Sequence, residues 1–197
     1  MSIIIAYKRK DTIYMGTDTR VLVAGEKTNE LCESGLKIQK LDNGILLGVT
    51  GENQERQTII AYSDIFTLDK KGELTKKHII KEIVPKLYNM LVEEKLLRAD
   101  EDDGIPYMRS MLLLAYRGTL YEICSNFLVL KYEDFQAVGL SSNMAHQILL
   151  NAKENDNVND TILKALKYSA KYYYTIGAPY VLIDTKDLKY TIVEGND

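Results

Sequence analysis

Ser2 to Lys8 is apolar and rich in Ile, breaks at the polar tract Arg9-Lys10-Asp11, and resumes from Thr12 to Thr17 with β-branched and aromatic residues. Two such runs joined by a short polar turn predict a hairpin. A polar, glycine-containing stretch from Ala24 to Ser34 follows. From Leu36 to Leu41 polar and apolar side chains largely alternate, the period of a strand with one face on a core. Asp42-Asn43-Gly44 is a turn, because Asn and Gly tolerate positive φ. Ile45 to Thr50 is a short apolar strand closed by Gly51.

The period then changes. Between Glu52 and Asp69 the apolar residues Ile59, Ile60, Tyr62 and Phe66 fall near helical spacing, and Lys70-Lys71-Gly72 ends the segment. A second helix is predicted from Thr75, with Ile79, Ile80, Ile83, Val84, Leu87, Met90 and Leu91 on one stripe. Pro85 lies inside it and predicts a kink or a shifted start. The acidic run Asp100 to Asp103 before Gly104 reads as a solvated loop. Strands return at Ser110 to Tyr116, Thr119 to Ser125 and Phe127 to Tyr132, with a tight turn at Arg117-Gly118. Helices are predicted over Ser142 to Ala152 and Asp160 to Tyr173, the latter capped by Asn159 or Asp160. The closing strands are Tyr180 to Asp184 and Tyr190 to Val193.

Strands and helices thus come in blocks: four strands, two helices, three strands, two helices, two strands. Blocks of this kind predict sheets packed face to face with helices outside. No linker, repeat or composition shift divides residues 1–197, so one domain is expected.

Composition narrows the function. A net charge of −3 and no basic patch interleaved with aromatics argue against a nucleic-acid partner. No apolar run approaches the length of a membrane helix, and no signal peptide is visible, so no membrane association and a cytoplasmic location are expected. Two cysteines, Cys32 and Cys124, build no disulfide framework and fit a reducing compartment. The two histidines, His78 and His146, read as ordinary helix residues. No metal and no cofactor are expected.

Two segments carry a resemblance. The first is Ser2-Ile3-Ile4-Ile5-Ala6-Tyr7 followed by Asp11-Thr12-Ile13-Tyr14-Met15-Gly16-Thr17-Asp18-Thr19-Arg20. The second is Ser34-Gly35-Leu36-Lys37-Ile38 followed by Asp42-Asn43-Gly44-Ile45-Leu46-Leu47-Gly48-Val49-Thr50-Gly51. In order, spacing and position these resemble proteasome β-subunits and the related HslV peptidase, which are N-terminal-nucleophile (Ntn) hydrolases. The resemblance spans nearly the whole chain. It implies an α+β, four-layer αββα sandwich, two antiparallel sheets between helix pairs, with residues 1–197 as a single proteasome-subunit-like domain. It implies Ser2 as nucleophile, Asp18 as the acidic residue, Lys37 as the lysine, and Gly48 as the glycine whose N–H meets the oxyanion. Val21, Leu46 and Thr50 match positions that line the family's substrate pocket.

The chemistry needs these groups. A serine hydroxyl is a weak nucleophile until a base takes its proton. In this class the base is the nucleophile's own α-amine, which titrates near neutrality. Ser2 must therefore lose Met1, and its small side chain suits ordinary initiator-methionine removal. A cationic Lys37 would disfavour protonation of that amine, and Asp18 would hold the lysine. The resemblance implies a polypeptide substrate, a homo-oligomeric ring and, by analogy with HslV, an ATPase unfoldase partner.

Other roles stay open for the same residues. Asp18 could pair with Arg20 at the surface, Lys37 could face solvent by alternation with Leu36 and Ile38, and Gly48 could serve close sheet packing. Val21, Leu46 and Thr50 could be core. The chain also departs from the family pattern. Leu140 stands where family peptidases place a serine after a glycine, with Ser141 next to it. Tyr173 or its neighbours stand where they place an aspartate. A non-catalytic scaffold subunit of the same fold, and an amidase acting on a small molecule, are the competing functions.

Overall fold

The Ile-rich start of the chain is β1 (Ile3–Arg9), and it folds back on β2 (Thr12–Asp18) with Ile4 opposite Thr17 and Tyr7 opposite Tyr14. The computed structural model describes residues 2–23, 25–29, 36–100 and 104–195. After β2 the chain forms a ribbon, β3 (Arg20–Val23) against β4 (Glu26–Asn29). Cys32 and the acidic residues 101–103 lie outside the described residues.

Next come β5 (Ile38–Lys40), β6 (Leu46–Val49) and helix α1 (Asn53–Ala61). The helix is shorter than the expected span. After Tyr62 the chain makes a single 3-10 turn, Ser63–Ile65, and then drops Phe66 into the core. The second expected helix begins as α2 (Lys76–His78), capped by Thr75, whose hydroxyl accepts from the His78 N–H. It widens into one π turn over Ile79–Ile83 and continues as α3 (Val84–Glu93). Pro85 has no N–H to return to the preceding turn, so the backbone loosens there instead of breaking.

A two-residue pair, β7 (Arg98–Ala99) with β8 (Pro106–Tyr107), precedes β9 (Leu112–Tyr116), β10 (Thr119–Ile123) and β11 (Val129–Tyr132). Then comes a strand the periodicity did not reveal, β12 (Phe135–Gly139). Its Gln136 is buried, with its amide donating to the Glu122 carboxylate, so a polar side chain sits where an apolar one would have marked the strand. Helices α4 (Ser142–Leu150) and α5 (Val158–Tyr172) follow. Asn157, not Asn159 or Asp160, caps α5, its side-chain oxygen accepting from the Asp160 N–H at 3.2 Å. The last strands are β13 (Tyr180–Asp184) and β14 (Thr191–Val193).

The strands form two five-stranded antiparallel sheets, ordered β12-β1-β2-β13-β14 and β11-β10-β9-β6-β5. Three apolar clusters join the elements. Ile4, Ala6 and Met15 of the first sheet meet Ile38, Leu46 and Leu113 of the second. Ile3 and Ile5, on the other face of β1, pack on Ile162 and Leu166 of α5 and on Ala145 of α4. Leu47 and Val49, on the other face of β6, pack on Ile59 of α1 and on Leu87 and Leu91 of α3. A strand covered on both faces needs no polar alternation, which is why β1 reads as an unbroken Ile run. No helix among the described residues is long and apolar enough to cross a membrane.

Candidate active site

Pairing of β1 with β2 brings the start of one strand beside the end of the other, so Ser2 lies near Asp18. The Asp18 carboxylate is fully buried. Its Oδ1 is 2.9 Å from the Lys37 Nζ and 3.5 Å from the backbone nitrogen of Ile3. The ammonium therefore shares one carboxylate oxygen with the peptide unit that follows Ser2. Lys37 also donates to the Arg20 carbonyl at 2.8 Å. Its own carbonyl accepts from the Val49 N–H at 2.9 Å, which ties its backbone to β6.

Lys37 is 2% exposed. The solvent-facing alternative drawn from its alternation with Leu36 and Ile38 does not hold, since all three are buried. Lys37 stands just ahead of β5, and the segment from Asp18 to Arg20 covers the side that alternation assigned to water. Asp18 likewise pairs with Lys37 and not with Arg20. A buried charge pair must recover a large desolvation cost through close contact and further hydrogen bonds. The Arg20 carbonyl supplies one such bond.

Ser2 is buried as well. Its carbonyl accepts from the Leu140 N–H at 2.9 Å. Gly139, paired with Ile3, has φ +95°, and a β-carbon there would lie 2.2 Å from the Ser2 oxygen, so only glycine fits. The same β-carbon would lie 3.1 Å from the Thr50 Cγ2. Thr50 is thus a neighbour of the Ser2–Gly139 contact, and its hydroxyl donates to the Met111 carbonyl at 3.2 Å. Ser141 begins α4 at φ 66°. Its Oγ, the Asp18 Oδ2 and the Thr175 Oγ1 are buried without a hydrogen-bond partner.

The remaining expected residues lie elsewhere in the architecture. Leu46 is fully buried between the sheets, in the cluster with Ile4 and Met15, so of its two roles it takes the core one. Val21 is buried on β3 opposite Thr28, one residue from the Arg20 carbonyl that holds Lys37.

Gly48 is set deep in β6, opposite Ile38 on one side and Leu113 on the other. The Val49 N–H goes to Lys37 and the Thr50 N–H to Met111. Antiparallel bonds alternate, so the Gly48 N–H turns toward Leu113 of β9 and is spent in the ladder. Its missing side chain admits Ile4 and Met15, whose atoms come within 3.0–3.2 Å of a built β-carbon. That is the close-packing role.

Sequence reasoning missed Gly51. By the same alternation its N–H falls on the Lys37 side of β6, past the last rung. It takes part as donor in none of the loop and turn hydrogen bonds found among the described residues. Its φ is +111°, and a β-carbon would lie 2.5 Å from the Arg109 carbonyl oxygen. The available signal was a glycine between an apolar strand and a helix start, in Val49-Thr50-Gly51-Glu52.

The two histidines lie on helices. His78 meets the Thr67 hydroxyl at 3.1 Å, and His146 meets the Gln136 side-chain oxygen at 2.7 Å. Gln136 in turn reaches Glu122, which accepts from the Tyr132 hydroxyl at 2.9 Å. Among the described residues no group of His, Cys, Asp and Glu could hold a metal ion.

Solved structures share this arrangement of elements. BPH from Thiobacillus denitrificans matches with a TM-score of 0.71 at 18% identity, over 99% of this chain and 100% of that one. Anbu, an ancestral beta-subunit, from Yersinia bercovieri matches with a TM-score of 0.70 at 9% identity, over 98% of this chain and 87% of that one. The eukaryotic HslV of Trypanosoma brucei matches with a TM-score of 0.60 at 15% identity, over 92% of this chain and 98% of that one. The chain has a proteasome-like fold. No family model matches it, and no curated protein matches its sequence. At these identities the likeness is one of fold, and function has to be argued from the site.

Proposed function

We propose that the chain is a proteasome-like peptidase subunit in which Ser2, freed by removal of Met1, is an N-terminal nucleophile. The observation that carries this is the buried Lys37–Asp18 pair set against the Ser2–Ile3 peptide. A structural core has little use for a desolvated ion pair at the first residues of a strand. A nucleophile that shares its residue with its base does. The positive charge pushes the free α-amine below its ordinary range of about 7.7–8.0, so the neutral amine can take the hydroxyl proton.

Ser2 Oγ then attacks the carbonyl carbon of a polypeptide, and the carbonyl π electrons move onto oxygen. Collapse of that oxyanion breaks the C–N bond and expels the amine product, which takes the proton held by the Ser2 α-ammonium, and Ser2 carries the acyl group as an ester. Water then adds to the ester carbonyl, the acyl C–Oγ bond breaks, the acyl group leaves as a carboxylic acid and the Ser2 hydroxyl is regenerated. The Gly51 N–H, in place of Gly48, is the donor we assign to the oxyanion, a contact typically worth about 100-fold in rate or more. By the same resemblance Val21 and Thr50 are assigned to the substrate pocket.

By the same resemblance the layers form an αββα sandwich, and subunits assemble into a homo-oligomeric ring served by an ATPase unfoldase. The test begins with the intact mass and N-terminal sequence of untagged protein. Loss of Met1 is expected, followed by covalent labelling of Ser2 by an epoxyketone and no labelling of Ser2→Ala. Epoxomicin is the probe to use first, since BPH has been solved in complex with it. Retained Met1 on natively produced protein would leave Ser2 without an amine and give the scaffold role the stronger claim.

A further inference from the structure

We infer that Arg20 is a positioning residue that locks the Lys37 ammonium in register with the segment following α5. Its backbone and side chain work in opposite directions. The Arg20 carbonyl accepts from Lys37 Nζ at 2.8 Å. The guanidinium reaches the other way, Nη1 donating to the Tyr174 carbonyl at 3.1 Å and the Ile176 carbonyl at 3.0 Å.

These carbonyls lie just past the end of α5 and flank Thr175. The fit is specific on the glycine side. A β-carbon on Gly177 would lie 2.2 Å from the Arg20 Cζ and 2.3 and 2.4 Å from its two terminal nitrogens, so the guanidinium occupies the space a side chain would take. Adjacent residues repeat the attachment. The Thr19 N–H and hydroxyl both donate to the Pro179 carbonyl, at 3.1 and 2.9 Å, and Asp18 pairs with Tyr180. Residues 18 to 20 are thereby fixed to residues 174 to 180, and Lys37 hangs from both ends of that short segment through Asp18 and the Arg20 carbonyl.

The consequence for activity rests on the peptidase reading. Loosening Arg20 lets the ammonium drift from Ser2. The freed amine then loses a neighbouring positive charge, its pKa rises, and it is neutral only at higher pH. A misplacement of this kind costs about 10- to 100-fold in rate.

The experiment uses full-length protein carrying ε-15N lysine, as wild type, Arg20→Gln, Arg20→Lys and Gly177→Ala, with the Lys37 Nζ resonance assigned through Lys37→Arg. Gly177→Ala is the second test variant, since its β-carbon meets the flexible end of Arg20 and displaces the guanidinium while leaving Arg20 itself in place. Each protein is also labelled with epoxomicin across pH. We expect Arg20→Gln and Gly177→Ala to shift the Lys37 resonance, slow labelling about 10- to 100-fold and move its midpoint to higher pH, with partial rescue in Arg20→Lys. An unchanged Lys37 resonance in both folded variants overturns the positioning role. A shifted resonance with unchanged labelling overturns its catalytic consequence. A shifted resonance where wild-type Ser2 never labels upholds the positioning role and sinks the peptidase reading alone.

Discussion

Lys37 Nζ and Asp18 Oδ1 stand 2.9 Å apart with both side chains withdrawn from water. The same carboxylate oxygen faces the Ile3 nitrogen, so any change to the pair is felt at the start of β1.

Removing one partner should cost more than removing both. Lys37→Ala leaves a buried carboxylate uncompensated and is expected to destabilise the fold by about 3–5 kcal/mol. The double variant Lys37→Met with Asp18→Leu is expected to recover most of that stability and none of the Ser2 labelling. Urea denaturation read beside probe labelling checks both. A double variant as unstable as Lys37→Ala would mean the pair is valued for packing and not for charge.

The two glycines of the β6 region should separate cleanly. Gly48→Ala overpacks Ile4 and Met15 at 3.0–3.2 Å, a contact two flexible side chains can relieve, and is expected to cost about 1–3 kcal/mol. Gly51→Ala forces a side chain to φ +111° and against backbone at 2.5 Å, so its loss should exceed that of Gly48→Ala. Equal losses in thermal denaturation would contradict the assignment of strain to Gly51.

Cys124 should be a poor nucleophile. Burial, then the charge and hydrogen bond of Glu122, push its thiol up from 9.0 to about 11. At pH 8 its thiolate fraction is about 100-fold below that of an unperturbed cysteine. Alkylation by iodoacetamide, followed by peptide mass mapping, is expected to be correspondingly slow and to speed up in Glu122→Gln. The sign of the stability effect follows. The folded pKa lies above the unfolded one, so between about pH 9 and 11 the unfolded chain releases a proton that the folded chain keeps. This group therefore makes stability fall as pH rises through that window. A Cys124→Ala variant should lose that part of the alkaline slope.

Asn157 should matter to α5 alone. Replacing it with Ala removes the cap on the Asp160 N–H and is expected to cost about 1 kcal/mol. Hydrogen exchange should quicken in the first turn of α5 and stay unchanged in β1 and β2. No change in the first turn would show that packing of Val158 and Ile162 holds the helix start by itself.

Much of the fold is legible in the sequence. The β1–β2 hairpin, the short apolar β6, the stripe on α2 and α3 and the apolar β13 all follow from local periodicity and turn residues, which act over a few positions. The same local logic placed Ser2 at the head of β1 and Asp18 at the end of β2. It failed at β12, because Gln136 is buried by a partner fourteen residues away. It failed at the start of α5, where the cap Asn157 lies two or three residues before the Asn159 or Asp160 that the pattern indicated.

What the sequence by itself determined is the order of the elements and which side chains seek a core, since period and turn chemistry are written locally. Tertiary structure alone decided which groups meet around Ser2. Lys37 is buried because Asp18 and Arg20 arrive from two other strands, the Gly48 N–H is spent because ladder bonds alternate, and the Arg20 guanidinium reaches carbonyls more than 150 positions away. Such pairings depend on how sheets stack, and a linear pattern of polar and apolar residues does not encode the partner of a buried charge.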